Sequence, residues 1–182
     1  MPYATGVLTI GLISDTHMPP WDLNVVRQVH EAFLGVDLIL HAGDIVTAGV
    51  LDWLETIAPV SAAIGNNDSH LTSDPRLKPL QTLTHEGISI AMFHVYEPWD
   101  RDPRVLMRER YSMDVCPDVI VVGDTHFEAV ENRGGVLLVN PGSPTTPHLR
   151  TDLRGTVGIL RVSEGHAQAE IVTLGNPLPP SA

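Results

Sequence analysis

Leu12-Ile13-Ser14-Asp15-Thr16-His17 closes an apolar run that begins at Val7 and reads as a buried strand. Ile64-Gly65-Asn66-Asn67-Asp68 closes a second such run, Val60 to Ile64, and Ala42-Gly43-Asp44 follows a third, Asp37 to Leu40. Farther on, His94 and Gly123-Asp124-Thr125-His126 come just after later apolar segments. Carboxylates, imidazoles and amides thus gather past hydrophobic strands, where an α/β fold places its ligand-binding loops. Asp15 and His17 are two residues apart, so an extended backbone would aim both side chains the same way to grip one ion. The two oxygens of Asp44 allow contact with two cations roughly 3.5–4 Å apart, the spacing of hydrolytic two-metal centres. Asn66 offers a neutral carbonyl oxygen, while His94 and His126 offer imidazole nitrogens that bind divalent metals near neutral pH. The pattern is that of a two-metal site.

Working outward, Leu23 to Leu34 has apolar residues at helical spacing, with Asp22 or Asn24 near its start and Gly35 at its end. Ala48 to Ile57 reads as the next helix. Strand, helix, strand, helix, strand in this order predicts a parallel sheet with right-handed crossovers. Asp74-Pro75-Arg76 and Lys78-Pro79 are turn signals, and Gln81 to His85 with Ile88 to Phe93 reads as a hairpin around Glu86-Gly87. Pro103 to Tyr111 reads as a helix that starts at Asp102. Five strands are then expected: Val119 to Val122, Phe127 to Val130, Val136 to Val139, Thr156 to Val162 and Ala167 to Leu174. Their turns, such as Asn132-Arg133-Gly134-Gly135, imply mostly antiparallel pairing. With no repeat or linker, residues 1–182 are expected to form a single domain, with a loosely ordered leader over 1–6 and tail over 176–182.

A chain of 182 residues with 43% hydrophobic and 18% charged content suits one globular domain. The net charge of -11 argues against general affinity for nucleic acid or anionic membranes. Cys116 is the only cysteine, so no internal disulfide can form, and packing is its expected role. No apolar stretch approaches the roughly 20 residues that span a bilayer, and no targeting segment is evident, so the expected location is the cytoplasm. A homo-oligomer is compatible with the sequence: Val50, Leu51, Trp53 and Leu54 read either as an exposed apolar face or as a buried helix.

Taken in order, Asp15-x-His17, Gly43-Asp44, Gly65-Asn66-x-Asp68, His94 and Gly123-x-Thr125-His126 resemble the calcineurin-like metallophosphoesterase superfamily. The short chain and Asn140-Pro141-Gly142-Ser143 resemble its small bacterial and archaeal phosphodiesterase branch, and the match runs from about Thr9 to Val172. The resemblance implies a four-layer αββα sandwich, in which two mixed β-sheets are flanked by helices. It implies one divalent ion held by Asp15, His17, Asp44 and His126, and a second held by Asp44, Asn66, His94 and Asp124. The implied reaction is hydrolysis of a phosphodiester by a hydroxide bridging the two ions. The substrate would be a small phosphodiester or phosphomonoester.

Three departures bear on that chemistry. Asn67 stands where many members of the superfamily have a histidine able to protonate the leaving oxygen, and an amide cannot act as a general acid. His70 is the nearby candidate to supply the proton, with Asn67 a candidate contact at the reacting group, and Asn67, Ser143 and His148 are candidate contacts to substrate. Asp124 replaces the usual first histidine of Gly-His-Thr-His, and this harder oxygen donor favours Mn²⁺ or Fe²⁺, with Zn²⁺, Ni²⁺ and Mg²⁺ also compatible. Three carboxylates and a hydroxide balance two dications, which suits a diester monoanion better than a monoester dianion. Val95-Tyr96 follows His94 in place of glycine, and Tyr96 with Trp99 forms either an apolar wall for substrate or core packing. His41 is expected to be a supporting donor or simply buried. Two rivals share these residues: a phosphomonoesterase acting on a small metabolite, and a protein-binding scaffold of the same fold with a degenerate site, as in a retromer subunit.

Overall fold

The chain runs through β1 (Leu8–Ile13), α1 (Leu23–Ala32), β2 (Leu38–His41), α2 (Ala48–Glu55), β3 (Val60–Ala63) and β4 (Leu77–Lys78). It continues through β5 (Gln81–His85), β6 (Ile88–Met92), α3 (Pro103–Tyr111), β7 (Val119–Val121), β8 (Ala129–Arg133), β9 (Val136–Asn140), β10 (Thr156–Ser163) and β11 (His166–Thr173). This computed structural model describes residues 6–175, so the expected leader, apart from Gly6, and the expected tail lie outside the described residues.

Two sheets form, one in the order β11-β10-β1-β2-β3-β4 and the other β5-β6-β7-β9-β8. Side-chain alternation along their strands creates three apolar layers. Leu38 and Leu40 point inward with Leu8, Ile10 and Leu12 to meet Ile90, Met92, Val119 and Val121 of the facing sheet. Ile39, between them, points outward and packs with Val29 of α1, with Phe33 just after it and with Val50, Leu51 and Leu54 of α2. Ile120 and Ala91 likewise face out, against Leu106 and Met107 of α3. The result is the expected four-layer αββα sandwich, and it resolves the choice left open for α2: Val50, Leu51 and Leu54 are buried.

Parallel pairing sets where the site lies. In the first sheet Ile13 pairs with His41 and His41 with Ala62, so β1, β2 and β3 end together. In the second, Met92 pairs with Val121 and Val121 with Val139, so β6, β7 and β9 do the same. The loops that leave both sets of ends carry every expected metal-binding residue.

Pairing in the second half is mostly antiparallel, as expected, in β8–β9, β10–β11 and β1–β10. The exception is β7, which pairs parallel with both neighbours, because α3 returns the chain to the start of the sheet and the β8–β9 hairpin places β9 beside it. Its unbroken Val119-Ile120-Val121 run, buried on both faces, is the signature of such a strand. β8 begins at Ala129 and not Phe127, since the preceding residues turn at Asp124 and His126, with φ of 71° and 61°. Finally, the turn-rich segment before Pro79 contains β4, a two-residue pairing in which Ala62 aligns with Leu77.

Candidate metal centre

β1 stops at Ile13, so Asp15 and His17 are not in extended chain as the alternation argument required. Both adopt left-handed backbone, with φ of 53° and 46°. These two kinks turn the side chains toward one point, and Asp15 Oδ1 lies 3.9 Å from His17 Nε2. The Asp15 N–H donates to the Gly43 carbonyl at 2.9 Å and the His17 N–H to the Asp44 carbonyl at 3.2 Å, which locks the loop to the end of β2. Asp44, Asp124 and His126 are also left-handed, with φ of 58°, 71° and 61°. A non-glycine residue costs roughly 1–2 kcal/mol in this conformation, a cost concentrated where donor atoms must converge.

Asp15 Oδ1 is central, 3.6 Å from His126 Nε2 and 4.0 Å from His94 Nε2. Asp44 faces two ways: Oδ2 is 3.6 Å from His17 Nε2 and Oδ1 is 3.4 Å from His94 Nε2. Asp124 Oδ1 is 3.7 Å from His94 Nε2 and accepts from Asn66 Nδ2 at 2.8 Å. The rings of His17 and His126 stack at 5.0 Å, with their Nε2 atoms 3.2 Å apart. Ligand atoms about 2.0–2.2 Å from a shared ion lie about 3–4 Å from one another, so these separations match a coordination sphere. Two groups have that compactness: Asp15, His17 and His126, and Asp15, Asp44 and His94.

The hydrogen bonds at the far side of each ligand candidate point its free atom inward. His94 Nδ1 donates to the Ala42 carbonyl at 2.7 Å, and His126 Nδ1 to the Thr146 carbonyl at 2.8 Å. A carbonyl only accepts, so each Nδ1 carries hydrogen, and in the neutral ring each Nε2 presents a lone pair to the centre. Asp15 Oδ2 accepts from Ser14 Oγ at 2.6 Å and from the Asp124 N–H at 3.1 Å, leaving Oδ1. Among the described residues, Asp15 Oδ1 and His94 Nε2 are buried with no hydrogen-bond partner. Buried orphans of this kind are costly unless something else satisfies them, and a divalent cation would satisfy both.

The electrostatics agree. Burial pushes the Asp15 carboxyl up to about 6 against the pull of His94, so its charge lacks a full counterweight from the protein. Burial also pushes Asp44 up, but His94 and the Asn67 amide outweigh it and hold the group well below the usual carboxylate range. Burial opposes charge on His94, yet Asp44 and Asp15 raise its imidazole to about 8, and a cation at that nitrogen would feel the same pull. Burial lowers His17. Close backbone approach makes the motif glycines necessary: a Cβ on Gly65 would lie 2.1 Å from Asp44 N, and one on Gly123 1.9 Å from Ser14 Oγ.

Residues 8–165 match the family model of the calcineurin-like phosphoesterase superfamily domain. The chain belongs to the calcineurin-like phosphoesterase superfamily. It is 36% identical over 175 residues to a probable metallophosphoesterase of Methanothermobacter thermautotrophicus, covering 94% of this chain and 95% of that one. It is 29% identical over 147 residues to a protein of Methanocaldococcus jannaschii named a phosphodiesterase, covering 74% and 83% of the two chains. Its fold is similar to that of vacuolar protein sorting 29 from Cryptosporidium parvum, with a TM-score of 0.70 at 20% identity, covering 93% and 99%.

This calcineurin-like domain brings Asp15, His17, Asp44, His94, Asp124 and His126 together, with Asn66 attached through Asp124. Asn67 touches the cluster as a support: its side-chain amide donates to Asp44 Oδ2 at 2.6 Å and its N–H to Oδ1 at 2.9 Å. His70 turns aside, its Nε2 bonded to the Val46 carbonyl at 2.9 Å. Ser143, expected to contact substrate, is fully buried, and its hydroxyl donates to the Asp15 carbonyl at 2.8 Å, so it braces the loop instead. His148 sits beside the centre, stacked on Phe127 at 4.4 Å and bonded to Glu128 Oε2 at 2.8 Å.

Asp68 supports the centre from a motif position that carries no ligand role. Its buried carboxylate accepts three N–H groups at 2.9 Å, from Ile45, Val46 and Gly65, and so ties the Asp44 loop to the Asn66 loop. The signal was present, as the last residue of Gly65-Asn66-x-Asp68. His41 is fully buried and burial drives it down to about 3, so it is neutral. Its Nδ1 accepts from the Gly43 N–H and its Nε2 meets Thr16 Oγ1, both at 3.2 Å.

Proposed function

We propose that the protein is a metal-dependent phosphodiesterase that uses two divalent ions, with Mn²⁺ preferred. Asp15, His17, Asp44 and His126 would hold one ion, and Asp44, Asn66, His94 and Asp124 the other. The observation that carries this reading is Asp44, whose two carboxylate oxygens face His17 on one side and His94 on the other. The ions, when bound, supply a water ionised near neutral pH and a Lewis-acid clamp on the phosphoryl oxygens.

The chain's own residues do the rest. Asn67 fixes both oxygens of Asp44, and the Ala42 and Thr146 carbonyls fix the tautomers of His94 and His126. Three carboxylates limit the positive charge of the loaded centre, which favours a diester monoanion over a monoester dianion. Asn67 cannot protonate a leaving group and His70 is bonded to Val46, so substrates whose leaving group is already a stable anion should react best. The phosphodiesterase name of the Methanocaldococcus relative supports the same choice.

The test is hydrolysis of bis(p-nitrophenyl) phosphate by manganese-loaded protein, with metal content measured in parallel. Asp44→Asn should lower the rate more than about 100-fold, because the change weakens both ion sites at once. Equal rates for wild type and Asp44→Asn, or fewer than one tightly held metal per chain, would overturn the proposal.

A further inference from the structure

Beside the metal centre runs a cleft that neither the metal ligands nor their supports explain. One part, of about 570 Å³, is lined by Tyr96, Glu97, Pro98, Trp99 and Thr125. A second part, of about 350 Å³, shares Trp99 and Thr125 and adds Phe127, Glu128 and Glu131. Ligand pockets usually measure about 300–1,000 Å³, so the space suits a small molecule. Thr125 lies in sequence between Asp124 and His126, which makes the cleft continuous with the metal-facing loop.

Two aromatic rings border it. Trp99 is held on several sides: Nε1 donates to Glu131 Oε1 at 3.1 Å, the Arg133 guanidinium lies over the ring at 4.9 Å, and Tyr96 meets it edge-on at 5.7 Å. The Trp99 carbonyl also accepts from Arg133. A partly buried indole fixed this firmly loses its rotamer freedom before any ligand arrives, which favours stacking. Phe127 is 50% exposed, although it follows His126 directly, and its other neighbour is the His148 ring stacked at 4.4 Å. Glu97 lines the first part and Glu128 and Glu131 the second, and the one guanidinium beside them, that of Arg133, is paired with Glu131 at 2.7 Å, so the lining offers a further phosphate no free cation.

We propose that this cleft binds a flat, uncharged aromatic ring carried on one ester of the substrate, with Trp99 and Phe127 as stacking platforms. The proposal rests on the phosphodiesterase reading, which places the phosphate at the metals and the ring along Thr125. A nucleobase and a simple aryl group share this chemistry.

Calorimetric titration of the manganese-loaded protein with adenosine 5′-monophosphate, phenyl phosphate and ribose 5-phosphate separates the ring from the phosphate. Base stacking on an aromatic side chain is worth about 1–3 kcal/mol, so a ring-bearing ligand should bind about tenfold tighter than ribose 5-phosphate. Adenosine 5′-monophosphate ahead of phenyl phosphate assigns the ring to a nucleoside, and the reverse order assigns it to an aryl ester. Trp99→Ala and Phe127→Ala should each remove most of the advantage, and Trp99→Phe should retain it. No advantage in wild type, or one unchanged in both alanine variants, overturns the proposal. Adenosine alone, titrated without metal, keeps this test independent of the centre. Absent turnover with the Trp99-dependent advantage intact would count against the proposed reaction and not against the cleft.

Discussion

Asp15, His17, Asp44, Asp124 and His126 share a left-handed backbone that aspartate and histidine tolerate better than most side chains and that branched residues would resist. Their identities were legible because each follows an apolar run in a recognisable order. The way they converge was not, since alternation in a strand and a pair of left-handed kinks both turn residues two apart toward one ligand. Supporting residues were harder still to read: Ser143 and His41 act through bonds to loops more than twenty residues away. His41 yields a prediction at this scale. Its folded imidazole resists protonation down to about 3, whereas the unfolded ring takes a proton near 6.5. Below pH 6.5 the unfolded state therefore binds the extra proton, and stability falls as pH falls. Between about pH 6.5 and about pH 5 this one group should remove about 1.6 kcal/mol. His41→Asn keeps an acceptor for the Gly43 N–H but does not titrate, so urea unfolding at the two pH values should show a loss smaller by that amount. Equal losses in both proteins would rule His41 out as the cause.

Elements were legible where punctuation is strong. Asp22 caps α1, its Oδ1 accepting from the Asn24 N–H at 2.8 Å and the Val25 N–H at 3.3 Å, and Asp102 caps α3 in the same way. Gly35, at φ 82°, follows the end of α1, and the hairpin of β5 and β6 falls around Glu86 and Gly87 as read. β4 was not legible, since two residues carry no periodicity and its neighbours are turn formers. Its position depends instead on distant partners: Arg76, just before it, reaches Asp74, Asp52 and Glu55, the last two on α2. The direction of β7 was hidden too, because turn residues reveal hairpins but not which strand a helix crossover reaches. At this scale Asp22→Ala should destabilise the fold by about 1 kcal/mol, as expected for a lost helix cap. For a domain of this size that lowers Tm by about 2–4 °C. Bound metal per chain, measured on the same sample, should not change, because the cap stabilises a layer outside the first sheet.

The whole molecule is two sheets whose strand ends open on one side, and the candidate centre takes residues from both. Asp15, His17, Asp44 and Asn66 follow β1, β2 and β3, while His94, Asp124 and His126 follow β6 and β7. An ion bound there links the two halves of the sandwich through more than their shared apolar layer, so metal affinity and global stability must be coupled. Each ion that binds only the folded state adds about 1.4 kcal/mol of stability per tenfold rise in free metal, once its site is near saturation. Two ions should therefore give about 2.7 kcal/mol per tenfold rise, and one ion half of that. Urea unfolding of the protein across a manganese series, buffered with a chelator, reads this slope directly. Wild type should show the larger value. His94→Ala removes a ligand proposed for the second ion alone and should show the smaller, while Asp44→Asn should flatten the dependence most. A wild-type slope near 1.4 kcal/mol, unchanged in His94→Ala, would mean that one ion binds and that Asp124 and Asn66 serve the fold by their mutual hydrogen bond instead.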